Sequence, residues 1–352
     1  MIKLPGLIDV HVHLRDPGQT NKEDFFTGTS AALAGGFTTV LDMPNNKIPV
    51  TTFETLQEKI KLAKQKSVSD IGFYAGSLGE NLEELMKMEP YVFGLKLYLN
   101  KTTGNFIVDE KKLVKIFTAW KSSKPVLVHA EDDVLSMVID IARKTKKRIH
   151  ICHVSNKLQL ELIIKAKKNN LSISCGVTAH HLFLTKDDTK VLKSFAFMKP
   201  ELMSKNDQKF LWKNLKWIDI FESDHAPHSI EEKKSDNPPF GVPGLETTLA
   251  LLLTAVSKKK LEINDIINKC YKNPKKIFNI PNQPDSYVDV DMKSAYTING
   301  KKLLTKCGWS PFEGWIVKGK VKNVFIRGKK VYEDGKILVK PGSGKYVTPT
   351  LL

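Results

Sequence analysis

The nine histidines carry the clearest chemistry in this sequence, and all of them lie between positions 11 and 228. His11 and His13 are one residue apart in the apolar run LIDVHVHLRDPG, and Arg15 follows them. Side chains at i and i+2 of a β-strand point the same way, so a strand here would place Asp9, His11 and His13 on one face. Because burial of unpartnered polar side chains is costly, this face needs partners from elsewhere in the chain.

The segments that must position these residues alternate between short apolar runs and amphipathic stretches. Eight runs predict strands, at 7–14, 38–44, 70–78, 91–99, 125–131, 148–155, 172–182 and 217–225. Eight amphipathic stretches predict helices, at roughly 22–34, 51–66, 80–88, 109–121, 132–146, 156–169, 203–215 and 244–258. Eight strand–helix units in about 250 residues are typical of a (β/α)8 TIM barrel. An open doubly wound α/β sheet is the alternative, although no glycine-rich phosphate loop follows the first strand.

The character of the chain changes after about residue 280. Short apolar runs such as VKNVFIRG and KKVYEDGKILV are separated there by turn signals, which favour a small β-structure. The sequence therefore predicts two units. One is a barrel over 5–280, and the other is a β-rich segment over 281–352, together with residues 1–4, that packs on the barrel.

Most of the polar residues of interest fall at the carboxyl ends of predicted strands. Active sites of such barrels lie at that end, so these residues should meet around one mouth. Several imidazoles and a carboxylate in one mouth predict a metal site, with zinc the natural ion for nitrogen and oxygen ligands. The candidates are His11, His13, Lys96, His129, His153 and Asp224.

The remaining histidines are weaker candidates. His150 has the usual features of a structural histidine. His180 and His181 are adjacent on the predicted strand 172–182, where they would face opposite ways, so at most one could reach the mouth.

Lys96 lies between Leu95 and Leu97 in a predicted central strand, where an ammonium group is costly to bury. A lowered pKa would leave a nucleophilic amine. That amine could form a Schiff base, or it could react with carbon dioxide to give a carbamate able to bridge two metals. The spacing of the residues leaves both possibilities open.

Composition excludes some classes of protein. The 352 residues carry a net charge of +17, but only four of the 55 cationic residues are arginines, and the lysines are spread along the chain. This indicates a solvated surface and no nucleic-acid site, which usually requires arginine forks. No apolar run approaches the roughly 20 residues of a membrane span, and the N-terminus does not resemble a signal peptide. We therefore expect a cytoplasmic protein with reduced cysteines.

Seven motifs in order give the sequence a strong resemblance to the dihydroorotases of the amidohydrolase superfamily, above all to the dihydroorotase domain of animal multifunctional pyrimidine-synthesis proteins. The motifs are HVHLRDPG, MPN, GLKLYLN, VHAE, ICHVS, SDHAPH and PGLETTLALLLTAV. The resemblance runs from about Leu4 through the closing β-segment. It implies an amidohydrolase-type barrel and the reversible cyclisation of N-carbamoyl-L-aspartate to L-dihydroorotate and water, a step of de novo pyrimidine (UMP) synthesis.

The resemblance also implies roles for individual residues. His11, His13 and Asp224 would hold one zinc ion, His129 and His153 a second, and carboxylated Lys96 would bridge the two. Asp224 would also act as the catalytic proton shuttle. The substrate would be bound by Arg15, Asn45, His228, Lys199 and Thr102, the last within a loop over 100–106.

Three departures from the family pattern stand out. Lys199 replaces the arginine of an RPEL motif. The positive charge is kept, but the forked guanidinium that can form two parallel hydrogen bonds is lost. A third zinc of the animal domain uses a cysteine, matched by Cys152, and a glutamate, replaced here by Gly176, so the sequence predicts no third zinc. Where the family has an aromatic residue in the loop after the threonine, this sequence has Thr103. Phe106 is the aromatic residue expected to take its place.

Two other functions compete with this prediction. Another cyclic amidohydrolase, such as an allantoinase or a hydantoinase, would share the metal motifs but not the substrate-binding set. A dihydroorotase-like scaffold for aspartate transcarbamoylase should have lost metal ligands, yet every inferred ligand is present. For an active enzyme we expect a homodimer, and the resemblance adds an association with aspartate transcarbamoylase.

Overall fold

The computed structural model describes residues 1–100 and 106–350, and the predicted barrel is present. The strands are β1 (Ile2–Pro5), β2 (Leu7–Val12), β3 (Phe37–Asp42), β4 (Asp70–Phe73), β5 (Ala75–Gly76), β6 (Leu95–Tyr98), β7 (Val126–His129), β8 (Ile149–Ile151), β9 (Ile173–Thr178), β10 (Ile220–Glu222), β11 (Tyr287–Thr297), β12 (Ile316–Ile326), β13 (Lys329–Glu333) and β14 (Lys336–Ile337).

The α-helices are α1 (Phe25–Ala34), α2 (Phe53–Lys66), α3 (Leu82–Met88), α4 (Glu110–Ala119), α5 (Asp132–Thr145), α6 (Lys157–Lys168), α7 (Ala179–Phe183), α8 (Thr189–Leu192), α9 (Lys205–Lys213), α10 (Ile230–Lys233), α11 (Leu245–Ser257), α12 (Ile263–Ile267) and α13 (Asn273–Phe278). A π-helical segment, Asn268–Lys272, joins α12 to α13.

Strands β2 to β10 form the barrel wall in chain order, and every pairing among them is parallel. β4 and β5 are two parts of one strand, interrupted at Tyr74. Both parts bond to the next segment, since Phe93 N donates to Phe73 O (2.9 Å) and Ala75 N donates to Gly94 O (3.1 Å). The ring closes where His13 N donates to His225 O over 2.8 Å.

Local sequence explains where the outer helices begin. Short polar side chains at the helix N-termini accept otherwise unpaired backbone N–H groups, which stabilises the first turn. Thr52 caps α2 and Ser204 caps α9 in this way, each through the N–H three residues on. The same arrangement begins α1, α4 and α6, at Asp24, Asp109 and Asn156. These caps fix the direction of each helix as it leaves the mouth of the barrel.

The appendage is an antiparallel sheet in the order β1-β11-β12-β13-β14, so the N-terminal strand joins the C-terminal segment. Its buried residues Val288, Val290 and Val324 belong to the same apolar core as Leu7 and Phe37 of the barrel. Barrel and appendage are therefore held together by one continuous core. The division into units at residue 280 stays a prediction.

The predicted strand over 172–182 is wrong in its last part, because β9 ends at Thr178 and α7 begins at Ala179. The Thr178 hydroxyl accepts the His181 N–H and caps this short helix. His180 and His181 consequently lie on one helical turn with ring centroids 4.6 Å apart, and not on opposite faces of a strand.

Within the residues that the structure describes, none of the helices has the length and apolar character needed to cross a membrane. All four cysteines are buried and free.

Candidate metal centre and active site

The predicted site residues converge on one pocket at the carboxyl ends of the barrel strands. Eight of them form part of its wall: His11, His13, Arg15, Asn45, His129, His153, Lys199 and Asp224. Lys96 and His228 are buried beside this wall. Thr102 lies outside the described residues.

One half of the site is built around Asp224. Its Oδ1 lies 3.3 Å from Nε2 of His11 and 3.2 Å from Nε2 of His13, so the two histidines of β2 share one carboxylate oxygen. Nδ1 of His13 lies 2.8 Å from Oδ1 of Asn45, which orients that ring. The strand predicted from LIDVHVHL therefore presents both imidazoles to the mouth.

The other half brings together the ends of β6, β7 and β8. Nδ1 of His129 lies 3.0 Å from Nε2 of His153, and the His153 and His11 ring centroids are 5.1 Å apart. Lys96 is fully buried on β6, and its ammonium donates to Sγ of Cys152 over 3.0 Å. Lys96 thus lies at the base of the site with a thiol as its partner.

Burial keeps three imidazoles of this pocket neutral, whereas at His11 the effect of burial is outweighed by the Asp224 carboxylate, which raises the His11 pKa to about 10. Burial lowers the pKa of His13 to about 4, although the neighbouring Asp224 opposes the shift. Burial also lowers the pKa of His129, and burial together with the nearby His129 holds the pKa of His153 well below its usual range. Neutral imidazoles keep a free lone pair, which is the form that binds metal ions.

The donor atoms of the pocket fit divalent metal ions. One nitrogen each from His11 and His153 and one oxygen of Asp224 lie within 4.8 Å of one another. Nδ1 of His153 is buried and has no hydrogen-bond partner among the described residues. Buried polar atoms are rarely left unpaired, and a nitrogen and oxygen set of this kind suits zinc.

Three site residues have left-handed backbone conformations two or three residues beyond a strand end. The φ angles are 64° at Arg15, 37° at His153 and 44° at Asp224. Non-glycine residues adopt this region at a cost of about 1–3 kcal/mol, and such strain is concentrated at functional sites. The local backbone is therefore fixed by the position these side chains must take.

The candidate substrate contacts form the side of the pocket near Arg15. The Arg15 guanidinium is buried, with Nε donating to Pro227 O over 3.1 Å and Nη2 lying 3.1 Å from Nε2 of His228. His228 therefore contacts the guanidinium, while Asn45 and Lys199 line the pocket itself. Nζ of Lys199 is paired with Glu201 at 2.7 Å. The aromatic substitute Phe106 packs edge-on against Tyr98.

Charge around His228 holds that ring neutral. Burial, followed by the nearby cations Arg15 and Lys22, strongly lowers the His228 pKa. Nδ1 of His228 lies 3.3 Å from Nζ of Lys22 and 3.5 Å from Glu232, which places a compensating carboxylate behind the ring. This arrangement leaves the positive charge on Arg15, at the pocket.

Sequence reasoning missed three polar residues in or beside the site. Tyr98 forms part of the pocket wall, Glu131 lies 3.1 Å from Nε2 of His129, and Glu222 lies 3.5 Å from Nδ1 of His11. Each of the three is two positions away from a residue that was identified, namely Lys96, His129 or Asp224. The strand periodicity used for His11 and His13 could have found them.

Comparison with known proteins shows what the whole chain is similar to. A model of the amidohydrolase family matches residues 2–331. The chain is 44% identical to "Multifunctional protein CAD" of Squalus acanthias over 99% of its own length, and it spans only 16% of that protein. It is 40% identical to "Dihydroorotase" of Pyrococcus abyssi, with 98% of this chain and 87% of the relative covered.

Two solved structures are also similar. An L-hydantoinase (dihydropyrimidinase) from Arthrobacter aurescens superposes with a TM-score of 0.95 at 26% identity, covering 99% of this chain and 89% of the other. An inactive dihydroorotase-like domain of a Chaetomium thermophilum CAD-like multifunctional protein gives a TM-score of 0.85 at 25% identity, covering 99% of each chain. By its sequence and its barrel, this chain belongs to the amidohydrolase family and, within it, to the group that contains the dihydroorotases.

Proposed function

We propose that this chain is a zinc-dependent dihydroorotase, which interconverts N-carbamoyl-L-aspartate and L-dihydroorotate in pyrimidine synthesis. The observation that carries the proposal is that one pocket combines two kinds of side chain. Metal-ligating imidazoles and Asp224 form one part of its wall, and Arg15, Asn45 and Lys199 form another. A cyclic amide with a carboxylate substituent can engage both parts at once. The dihydroorotase relatives support the same assignment.

The proposed cofactor is a pair of zinc ions. His11, His13 and Asp224 would hold one ion, and His129 and His153 the other. Lys96 would bridge them after carboxylation, because its buried amine lies at the base of the site on β6. When bound, the two ions would polarise the amide carbonyl and lower the pKa of water.

The proposed proton carrier is Asp224. Burial would raise the pKa of its carboxyl group, but the surrounding His11, His13 and His153 outweigh this and hold the pKa well below its usual range. The carboxylate is therefore ionised, the form in which it would accept a proton from water as the water oxygen adds to the ring carbonyl carbon. It returns the proton to the ring nitrogen as the C–N bond breaks, and the reverse path closes the ring.

The remaining residues would orient the substrate. The Arg15 guanidinium is held from behind by Pro227 O and His228, so its free edge can pair with a carboxylate in a forked geometry. Asn45, Lys199 and Thr102 would complete the contacts, with His228 acting through Arg15. Since Lys199 is already paired with Glu201, its charge is partly compensated before substrate arrives.

Hydrolysis of L-dihydroorotate by the zinc-loaded protein tests this proposal, with allantoin and hydantoin as parallel substrates. We expect turnover of dihydroorotate, and its loss in Lys96→Ala, while Lys111→Ala on the exposed side of α4 stays active. Preferential turnover of hydantoin or allantoin would reassign the enzyme to another cyclic amide. A protein without bound zinc and without turnover would instead be a scaffold, like the inactive domain that shares this fold.

The homodimer, the association with aspartate transcarbamoylase and the cytoplasmic location stay predictions. The first two can be tested by light scattering of the purified chain alone and after mixing with aspartate transcarbamoylase. We expect a mass of two chains for the protein alone.

A further inference from the structure

One lysine near the pocket is buried without a carboxylate partner among the described residues. Lys233, the last residue of α10, is fully buried. Its Nζ donates hydrogen bonds to Phe197 O (3.0 Å), Pro239 O (2.9 Å) and Gly241 O (3.2 Å), which use all three N–H donors of an ammonium group. Burial lowers the pKa of Lys233 to about 7, and none of the described carboxylates offsets this shift. Three carbonyl groups therefore compensate for the burial of this cation.

The three carbonyls belong to two segments that form one side of the pocket. The segments are 197–199 and 239–241, and three of their residues line the pocket: Lys199, Phe240 and Gly241. The segments are also joined directly, since the Gly241 N–H donates to Phe197 O over 2.9 Å. We call these two segments the substrate-side wall. Lys233 ties both of them to one ammonium group from outside the pocket.

The substrate-side wall also contacts the residues proposed to bind the substrate carboxylate. Phe240 O lies 3.0 Å from Nε2 of His228, and the same nitrogen lies 3.1 Å from Nη2 of Arg15. Trp309 Nε1 donates to His228 O over 2.7 Å, and the Trp309 ring centre lies 5.6 Å from Nζ of Lys233. A shift of the wall would therefore move His228 and, through it, the Arg15 guanidinium.

We propose that Lys233 is a positioning residue, whose three hydrogen bonds hold the substrate-side wall where its side chains can contact the substrate. Side chains that bind a substrate need supporting residues that fix their geometry, and small displacements weaken the contact. Within the described part of the chain, none of the hydrogen bonds of Lys233 goes to a proposed metal ligand. Lys233 should therefore affect substrate affinity and leave metal binding unchanged. This inference rests on the proposed function.

The test replaces Lys233 by methionine, which fills nearly the same space and donates no hydrogen bond. In Lys233→Met we expect KM for dihydroorotate to rise about 10-fold, an effect of the size of one charge-assisted hydrogen bond lost at the pocket. The kcat value and the zinc content per chain should stay close to those of the wild type. Lys234→Met, at the exposed neighbouring position, is the matched control and should keep the wild-type KM.

A lysine with only a structural role would give a different result. A partly unfolded preparation has a lower apparent kcat and an unchanged KM, and that result in Lys233→Met would overturn the proposal. If Lys233→Met does not fold, Lys233→Gln is the second variant, since it keeps one donor group at this position. Its KM should rise by a smaller factor, and an unchanged KM in Lys233→Gln would overturn the proposal equally.

Combining Lys233→Met with Lys199→Met tests whether the effect passes through the substrate-side wall. We expect Lys199→Met to raise KM less in the Lys233→Met background than in the wild type, because residues that act through one structure are not independent. Independent effects of the two substitutions on KM would contradict the proposal. An inactive wild type would overturn the proposed function itself. An active wild type whose KM is unaltered in Lys233→Met would overturn only the role of Lys233.

Discussion

Single residues in this protein perform tasks that depend on their chemical type as well as their charge. Arg15 illustrates this, because its guanidinium is buried, contacts Pro227 O and His228, and lies at the wall of the pocket. A lysine would supply the same charge from one point, without the fixed fork that pairs with a carboxylate. The reverse comparison can be made at position 199, where lysine is the native residue and arginine would be the replacement.

Arg15→Lys should therefore weaken substrate binding more than it slows the chemical step. Loss of one charge-assisted hydrogen bond removes about 1.5–3 kcal/mol, so KM for dihydroorotate should rise roughly 10- to 150-fold, with a smaller change in kcat. Steady-state kinetics at saturating zinc measures both constants. Lys199→Arg is the paired variant, in which the added fork should lower KM. An unchanged KM in Arg15→Lys would remove Arg15 from the substrate site.

At the scale of elements, the barrel could be predicted from the sequence because its strands are buried apolar runs and capped amphipathic helices separate them. The eight predicted strands all occur, with the third divided at Tyr74. The failures are local. Thr178 ends β9 by capping a helix, which apolar periodicity does not reveal, and Glu222 meets Gly176 across two strands. Contacts between neighbouring strands depend on register, which a single sequence does not specify.

Helix α11 carries a prediction of its own through Glu246 in its first turn. The carboxylate accepts the N–H groups of Leu304 and Thr305 at 2.9 Å and so ties the 303–305 segment to the helix. Burial raises the Glu246 pKa from 4.5 to about 7. The folded state therefore holds this proton more tightly than the unfolded state, and its stabilising effect is complete below pH 4.5 and is lost as pH rises through 7.

Between pH 4.5 and 7 this group should lower the free energy of unfolding by about 3 kcal/mol, at 1.36 kcal/mol per pKa unit. Urea unfolding of wild type and Glu246→Gln across this range would measure the difference. We expect a flatter dependence on pH in the variant. Glu58→Gln, on the exposed side of α2, should follow the wild type. Parallel curves for wild type and Glu246→Gln would contradict the assignment.

At the scale of the whole molecule, one buried carboxylate links the barrel to the appendage and to the C-terminal segment. Asp70, at the start of β4, accepts hydrogen bonds from both terminal guanidinium nitrogens of Arg327, at N···O distances of 2.6 and 3.0 Å. It also accepts the N–H of Lys345 at 2.9 Å and the side-chain amide of Gln283 at 2.6 Å. Three distant parts of the chain thus meet at one side chain.

Asp70→Asn should destabilise the molecule while leaving its metal content unchanged. Removing one partner of a buried ion pair typically costs about 3–5 kcal/mol, and the partial exposure of Arg327 favours the lower end. Asp334→Asn is the control, because Asp334 pairs with Lys320 and Lys322 at the surface and should contribute about 1 kcal/mol or less. Urea unfolding and zinc analysis measure the two effects. Equal losses of unfolding free energy in Asp70→Asn and Asp334→Asn would show that Asp70 contributes no more to stability than a surface ion pair.

The contact between Gly176 and Glu222 also couples the changes that these two positions could have undergone during evolution. The Glu222 carboxylate can lie where it does only beside a glycine, since any Cβ at 176 would meet it at about 2.5 Å. A chain that acquired Glu222 before Gly176 would have had to rotate this carboxylate away from β9. The contacts of Glu222 with His11 and with the His153 N–H therefore depend on a residue that touches neither histidine.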